Sequence, residues 1–359
     1  MKYAILTVAI CSAIAACTPD RDSSSDSSQT PQLPPVQAEI PAGTPESEQA
    51  MQKFSTLTYG KDLAPLDKYL TEHPELVNRT YIVKREGNTI LHIAAGQGNT
   101  RVIELLLSHG ADPTLPNSLA WNTTPFSTAA HDGHVKTVKE FLRLGVDVNW
   151  QSPASETTSQ SVPMSALDHA SWCGRSEIVR LLLENGAKLD SNPVGKSYPA
   201  LHHAMQGHVE TIQFTGTGLP PCPALDNSEV IELLLAHGAS LSNYNFNDDQ
   251  ALHVAIKRNA SFTVKYLLEH HREKFDVNIP GRYGFTPLNL AAMHVSGHKK
   301  NPRSDLADEP ADMIVKLLLE YGAIKDKRSE PTGDGIPKTS YEYAVEDNAG
   351  PQVIELLKP

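Results

Sequence analysis

Seven short segments of the chain repeat one pattern of apolar and polar positions, in which a large apolar residue follows a polar or small opening and precedes an alanine. The segments are TILHIA (89–94), TPFSTA (124–129), SALDHA (165–170), PALHHA (199–204), QALHVA (250–255), TPLNLA (286–291) and TSYEYA (339–344). A second apolar stretch follows each one, beginning at Val102, Val138, Ile178, Val230, Val264, Ile314 and Val353. In the first of these, Val102, Leu105 and Leu106 recur at helical spacing, and Gly110 suits a helix C-terminus. The pattern predicts seven pairs of amphipathic helices.

One such pair cannot bury its own apolar face, so the pairs must stack on one another. The anchor residues Leu91, Phe126, Leu167, Leu201, Leu252, Leu288 and Tyr341 lie 35, 41, 34, 51, 36 and 53 positions apart. The longer spacings locate insertions at about 150–162, 209–227 and 295–311. The last two fall between the two helices of their pairs and should project from the same edge of the stack.

The two-part pattern resembles the ankyrin repeat, whose signature combines a threonine-proline-leucine-histidine opening with a leucine-rich second helix ending in glycine-alanine-aspartate. The resemblance implies an all-α fold, an α-solenoid of about seven repeats with short β-hairpin fingers. Residues 47–78 carry apolar positions at helical spacing without the signature, which fits an N-terminal cap, and the last unit serves as the other cap. We assign 47–86 to the cap and 87–359 to the repeats.

The N-terminus indicates a targeting segment. A short positive region at Lys2 precedes a mainly apolar run of eleven residues, Ala4 to Ile14, too short to span a bilayer as a helix. The stretch Ile14-Ala15-Ala16-Cys17 resembles the lipobox of bacterial lipoproteins, which implies cleavage before Cys17 and its acylation. An ordinary cleaved signal peptide with an unrelated cysteine is the alternative. Residues 1–16 are therefore expected to be a signal peptide.

A lipid on Cys17 implies anchoring to the membrane, and Thr18 after the cysteine implies the periplasmic face of the outer membrane. Residues 17–46 are rich in Ser, Pro and Asp, and so predict a disordered tether behind the lipid. The net charge of −11, without a basic run, argues against nucleic-acid binding. The envelope also permits disulfides. A bridge between Cys173 and Cys222 is our prediction, and two unpaired thiols are the alternative.

The fifteen histidines do not indicate a metal site or a cofactor. By the resemblance, those at repeat positions have structural roles, with the opening histidine bonded to backbone between neighbouring repeats: His92, His109, His134, His202, His208, His237 and His253. His294 and His298 are four apart but lack a third ligand fixed by spacing. The adjacent pairs 202–203 and 270–271 are expected at the surface. No nucleophile elbow, Walker loop or metalloprotease motif is present, which indicates that the protein is not an enzyme.

Ankyrin proteins generally bind partners through finger tips and a concave face, so exposed aromatic residues there are candidate contacts. They are Trp121, Trp150, Tyr198, Tyr244, Phe246 and Tyr283. Packing of finger against finger is the alternative for each. We expect a monomer that binds a protein partner in the bacterial envelope. Two narrower roles stay open: an immunity protein against a secreted antibacterial phospholipase-type toxin, which the resemblance suggests, and an assembly or protection factor for an envelope enzyme.

Overall fold

The computed structural model describes residues 45–58, 62–83, 86–117, 123–151, 164–190, 199–205, 227–241, 250–274, 276–281, 284–298, 312–330 and 336–359. All of them lie within one compact unit, Gln37–Pro359. The predicted signal peptide, Cys17 and nearly all of the tether lie outside the described residues, as do most of the three insertions.

Eight helix pairs follow one another along the described chain. The first pair, Pro45–Thr58 and Ala64–Glu72, stands where the N-terminal cap is predicted and begins two residues before it. Repeats 1 to 7 are the pairs Ile90–Gly96 and Thr100–Ser108, Pro125–Asp132 and Val135–Arg143, Ala166–Trp172 and Ser176–Glu184, Ala200–Met205 and Ser228–Ala236, Ala251–Lys257 and Ser261–His270, Pro287–His298 and Met313–Glu320, and Ser340–Glu346 and Pro351–Leu357. The predicted all-α ankyrin-type solenoid is confirmed.

The polar opening residue of the repeat pattern is the N-cap of the first helix. In repeat 1, the Thr89 hydroxyl accepts from the backbone N–H of His92, and the Thr89 N–H is bonded by the His92 ring. Such reciprocal capping satisfies two of the donors that a helix start leaves unpaired. Similar boxes join Thr124 with Ser127, Ser165 with Asp168, and Thr339 with Glu342.

One finger of the described chain is a β-hairpin. Its strands are β1 (Tyr81–Val83) and β2 (Glu86–Asn88), antiparallel, with Tyr81 opposite Asn88 and Val83 opposite Glu86. It joins the cap to repeat 1.

A single apolar core runs through the unit, from Phe54 in the cap to Leu357 in repeat 7. It forms because the first helix of each repeat packs on the first helices of its neighbours. Over the residues described, no helix combines the length and apolar character needed to cross a membrane.

An asparagine after the second helix ties three pairs of neighbouring units together. The Asn149 amide donates to the Gly186 carbonyl (3.1 Å), and its oxygen accepts from the Lys188 N–H (2.8 Å). Asn78 and Asn278 make the equivalent two bonds to the units that follow them. These bonds fix the start of each finger against the next repeat, because each asparagine pairs with one carbonyl and one N–H just beyond the second helix of the following unit.

Candidate functional site

Two of the predicted site residues lie in the described chain, Trp150 and Cys173. The other predicted positions lie outside the described residues: Cys17, Trp121, Tyr198, Cys222, Tyr244, Phe246 and Tyr283.

Trp150 lies at the start of the finger between repeats 2 and 3 and is partly exposed. A turn holds its backbone, because its N–H donates to the Asp147 carbonyl (3.1 Å). The neighbouring Asn149 is bonded to repeat 3 as described above. Trp150 therefore combines a large side chain, access to solvent and a fixed backbone, and remains a candidate contact.

Cys173 is the C-cap of the first helix of repeat 3 and is fully buried. It is disulfide-bonded. Its predicted partner Cys222 lies outside the described residues, so the pairing itself stays a prediction.

The finger between repeats 6 and 7 carries two of the four large apolar side chains that are exposed in the described chain. Ile336 is 77% exposed and Ile324 is 48% exposed. Ser329 closes this finger by donating its N–H to the Lys338 carbonyl (2.9 Å), while the Lys338 N–H donates to the Ser329 hydroxyl (3.2 Å). The two isoleucines are thus exposed on a bonded backbone, and burial of either one against a partner would be favourable.

The preceding finger supports this one. The Glu330 N–H donates to the Gly284 carbonyl (2.9 Å), and the Lys327 ammonium donates to the Asn278 carbonyl (2.7 Å). Arg328 also pairs with Glu342 on the first helix of repeat 7 (3.1 Å). We call residues 324–330 with 336–339 the C-terminal finger. The hydrogen bonds and the ion pair hold the backbone that carries Ile324 and Ile336, which lowers the entropy cost of binding through these side chains.

The first helices of repeats 2 to 4 carry a cluster that sequence reasoning missed. His131, His169 and His203 are all buried there, and the His131 ring lies edge-on to the rings of His169 and Trp172 (6.0 and 6.3 Å between centroids). The expected surface position is wrong for His202 and His203, because first helices bury this side against neighbouring repeats. A signal was present: His169 and His203 occupy the same position of their repeats, four residues after the opening residues Ser165 and Pro199.

The two histidines of the other adjacent pair, His270 and His271, differ in burial. His270 is exposed as expected, but His271 is buried. Its Nε2 lies 2.7 Å from a Glu232 carboxylate oxygen on repeat 4, and that oxygen also accepts from the Tyr266 hydroxyl (2.5 Å). These bonds lower the pKa of Glu232, with the tyrosine bond the larger cause. The network joins the second helices of repeats 4 and 5, which is a structural role.

The repeat-position histidines bond as the resemblance implied. His92 Nε2 lies 2.8 Å from the Thr123 carbonyl of the next repeat, and His253 Nε2 lies 3.1 Å from the Ile279 carbonyl. His134 Nε2 reaches back to the Gly96 carbonyl (2.7 Å). Burial lowers the pKa of His92 to about 4, against the opposing effect of its bond to Thr123. In the part of the chain described, no three His, Cys, Asp or Glu side chains converge to hold a metal ion.

Comparison with known proteins gives one consistent result. A model described as "Ankyrin repeat" matches residues 86–118, and one described as "Ankyrin repeats (3 copies)" matches 115–193 and 223–303. The ankyrin repeat domain of human ASB11 superposes with a TM-score of 0.50 at 23% identity, covering 74% of this chain and 95% of that domain.

Similar curated proteins come from a virus, from animals and from plants. The putative ankyrin repeat protein FPV031 of fowlpox virus is 28% identical over 195 residues, 53% of this chain and 49% of the relative. Alpha-latroinsectotoxin-Lt1a of Latrodectus tredecimguttatus is 21% identical over 296 residues, 67% of this chain and 19% of the toxin. The human transient receptor potential cation channel subfamily A member 1 is 24% identical over 255 residues, which are 65% of this chain and 22% of the channel. The chain spans less than half the length of these relatives.

Proposed function

Because the chain belongs to the ankyrin-repeat family, whose models together match more than half of it, we propose that it is a membrane-anchored adaptor of the bacterial envelope that binds a partner protein. Ankyrin repeats are typically interaction scaffolds without enzymatic activity. The described fold supplies what binding needs, a rigid stack whose fingers project from fixed turns.

The observation that carries this proposal is the exposure of Ile336 and Ile324 on the C-terminal finger. The finger is bonded to its neighbours on both sides, through Gly284 and through Glu342. Burial of a 77% exposed isoleucine against a partner would remove apolar surface from water and so favour binding. Trp150 adds a second contact on the finger between repeats 2 and 3, so the binding surface would extend along several fingers.

Anchoring in the envelope rests on the first seventeen residues, which lie outside the described chain. Its support is the apolar run from Ala4 to Ile14 followed by the lipobox-like Ile14-Ala15-Ala16-Cys17. Acylation of Cys17 would keep the repeats at a membrane face, and the residues of the tether would let them reach a partner.

Cys17→Ser tests the anchor. The full chain, expressed in a diderm bacterium with labelled palmitate, is expected to carry label and to sediment with membranes, whereas the variant carries none and enters the soluble fraction, because acylation requires the cysteine. Cys11→Ser is the matched control and should leave both results unchanged. An unlabelled wild-type chain would exclude lipid anchoring and leave an ordinary signal peptide.

Ile336→Asp tests the binding surface. With the full chain as bait against envelope and secreted proteins of its source cell, we expect one stoichiometric partner, and we expect Ile336→Asp to weaken its binding at least tenfold, since a buried charge would replace an apolar contact. Titration calorimetry with the purified partner measures the change, and Trp150→Ala should act in the same direction.

Phe262→Asp is the control, because Phe262 is also exposed (49%) but lies on the second helix of repeat 5. Loss of binding in this variant, with Ile336→Asp unaffected, would place the partner on the second helices and overturn the finger proposal. A tightly held partner with hydrolase activity would favour an immunity role. A transient complex with an enzyme that loses activity when the chain is deleted would favour an assembly role.

A further inference from the structure

Three buried histidines follow one another along the first helices of repeats 2, 3 and 4. His131, His169 and His203 are 3%, 1% and 5% exposed. The rings of His131 and His169 meet nearly perpendicular, with centroids 6.0 Å apart. We call these three residues the histidine row. Because each belongs to a different repeat, the row lies across two successive repeat interfaces.

The surroundings of the row hold few groups that could stabilise a positive charge. His131 Nδ1 lies 2.8 Å from the buried Asp132 carboxylate, and Arg175 Nε donates to the His131 carbonyl (2.9 Å). His169 differs, because its Nδ1 is buried and has no hydrogen-bond partner in the described part of the protein. A proton added there would be a donor without an acceptor, beside the imidazole of His131.

Neighbouring charges act in the same direction as burial. Burial lowers the pKa of His169 well below its usual value, and His131 and His203 lower it further. Burial likewise lowers the pKa of His203 to about 3, with added repulsion from His202 and Arg258. In the folded protein His169 and His203 therefore stay neutral at pH values where the same two histidines in an unfolded chain are protonated.

The carboxyl group of Asp168 opposes the effect of these histidines on the pH dependence of stability. Burial raises the pKa of Asp168 to about 7, against hydrogen bonds from Ser165 that lower it, and Asp190 raises it further. Between pH 7 and its unfolded value, Asp168 therefore takes up one proton in the folded state. His92, His169 and His203 have lowered folded pKa values, so on acidification they take up three in the unfolded state. Near pH 5 unfolding thus takes up a net of about two protons, and stability falls as pH falls.

The interface of repeats 6 and 7 is built differently. There the amide of Asn289 donates to the Ser340 hydroxyl (3.0 Å), and both side chains are buried. Neither group titrates in this range. The described chain therefore divides into a proton-sensitive part around repeats 2 to 4 and a part whose central polar contact is independent of pH.

We propose that protonation of His169 and His203, buried between the first helices of repeats 2 to 4, separates these helices, so that this part of the stack opens in mild acid before repeats 6 and 7 unfold. The trigger is a proton from solvent, and no partner is required. The inference is independent of the proposed binding function, since it concerns the free protein.

The three tryptophans of the chain provide a local reporter, because Trp121, Trp150 and Trp172 all belong to the segment of repeats 2 and 3. Opening of repeats 2 to 4 takes up about one net proton, because His92 lies in repeat 1 and only His169, His203 and Asp168 count. Urea unfolding of the full chain, followed by tryptophan fluorescence, should therefore show an equilibrium constant for this opening that rises on the order of tenfold per pH unit as the pH falls near 5. His169→Leu removes that net proton, and the equilibrium constant should then change little with pH.

His237→Gln is the matched control, because His237 is exposed on repeat 4 and its ring bonds to the Leu233 carbonyl of its own helix. It should keep the wild-type pH dependence. A His169→Leu chain that folds at neutral pH with an unchanged pH dependence would overturn the proposal.

Hydrogen exchange of the wild-type chain tests whether repeats 2 to 4 open first in acid, even if His169→Leu fails to fold. After correction for the intrinsic pH dependence of exchange, lowering the pH from about 7 to about 5 should increase deuterium uptake in the first helices of repeats 2 to 4 and leave those of repeats 6 and 7 protected. Uniform loss of protection, or earlier loss in repeats 6 and 7, would show that the histidine row is not the acid-sensitive element.

Discussion

Replacing Phe141 by alanine is expected to lower the free energy of unfolding by about 3–5 kcal/mol. The Phe141 ring is fully buried on the second helix of repeat 2 and packs edge-on against Phe126 of the first helix, with centroids 5.9 Å apart. Truncation leaves a cavity that two joined helices cannot close. Urea unfolding followed by circular dichroism and tryptophan fluorescence measures the loss.

Phe262→Ala is the matched control for this prediction. Both phenylalanines lie on second helices, but Phe262 is 49% exposed. Its removal should change stability by less than about 0.5 kcal/mol. If Phe141→Ala and Phe262→Ala lower the free energy of unfolding equally, then burial of Phe141 in the core of repeat 2 does not stabilise the protein as predicted. Tryptophan fluorescence reports on the segment of repeats 2 and 3, whereas circular dichroism reports on all helices. Because repeats couple mainly to their neighbours, a loss of stability that is larger by fluorescence than by circular dichroism would place the effect of Phe141→Ala in repeats 2 and 3.

Gly284→Ala is expected to cost roughly 2–4 kcal/mol, combining a strained backbone with a lost hydrogen bond. Gly284 has φ +68°, and a Cβ there would lie 2.3 Å from Glu330 Cβ and 2.6 Å from Glu330 N. Backbone cannot rotate away as a side chain can, so the C-terminal finger must move. The bond from the Glu330 N–H to the Gly284 carbonyl would then be lost. Thermal unfolding gives the cost, and hydrogen exchange at residues 324–330 gives the displacement.

Gly145→Ala separates the cost of backbone strain from the cost of the clash with Glu330. Gly145 has φ +81°, but a Cβ there would meet no atom within 4 Å. It therefore carries the conformational strain without the clash, and should cost about 1–2 kcal/mol. If the two variants lose the same stability and residues 324–330 remain protected, the close approach of the two fingers contributes nothing. Gly284→Ala should also weaken partner binding, since Ile336 lies on the displaced finger.

The sequence predicted the repeat units because local signals agree with one another. Thr89 begins a helix, Leu91 recurs in register with the later anchors, and Gly110 ends the unit, so capping, periodicity and termination all indicate the same boundaries. The predicted bond of His92 to a neighbouring repeat is confirmed for the same reason. A fixed position in a repeated unit meets a fixed surrounding, here the Thr123 carbonyl.

The candidate site was less predictable. The aromatic contacts were chosen as residues that the repeat pattern does not require, and only Trp150 lies in the described chain. Ile324 and Ile336 were missed, because a single apolar residue in a polar finger has no periodicity that distinguishes exposure from packing. The burial of His203 and His271 was also missed, since two adjacent histidines give no sign of which neighbouring helix covers them.

The sequence by itself determined the repeat, the helix boundaries, the capping residues and the seven anchors, all of which depend on residues within one unit or at a constant spacing. Only the tertiary structure decided which groups meet between units. The contact of Gly284 with Glu330, the bond of His271 with Glu232 and the row His131, His169 and His203 join residues tens of positions apart, often across insertions that break the period. Such contacts depend on how far each helix pair shifts and turns on the next, and that geometry is set by packing of the whole stack.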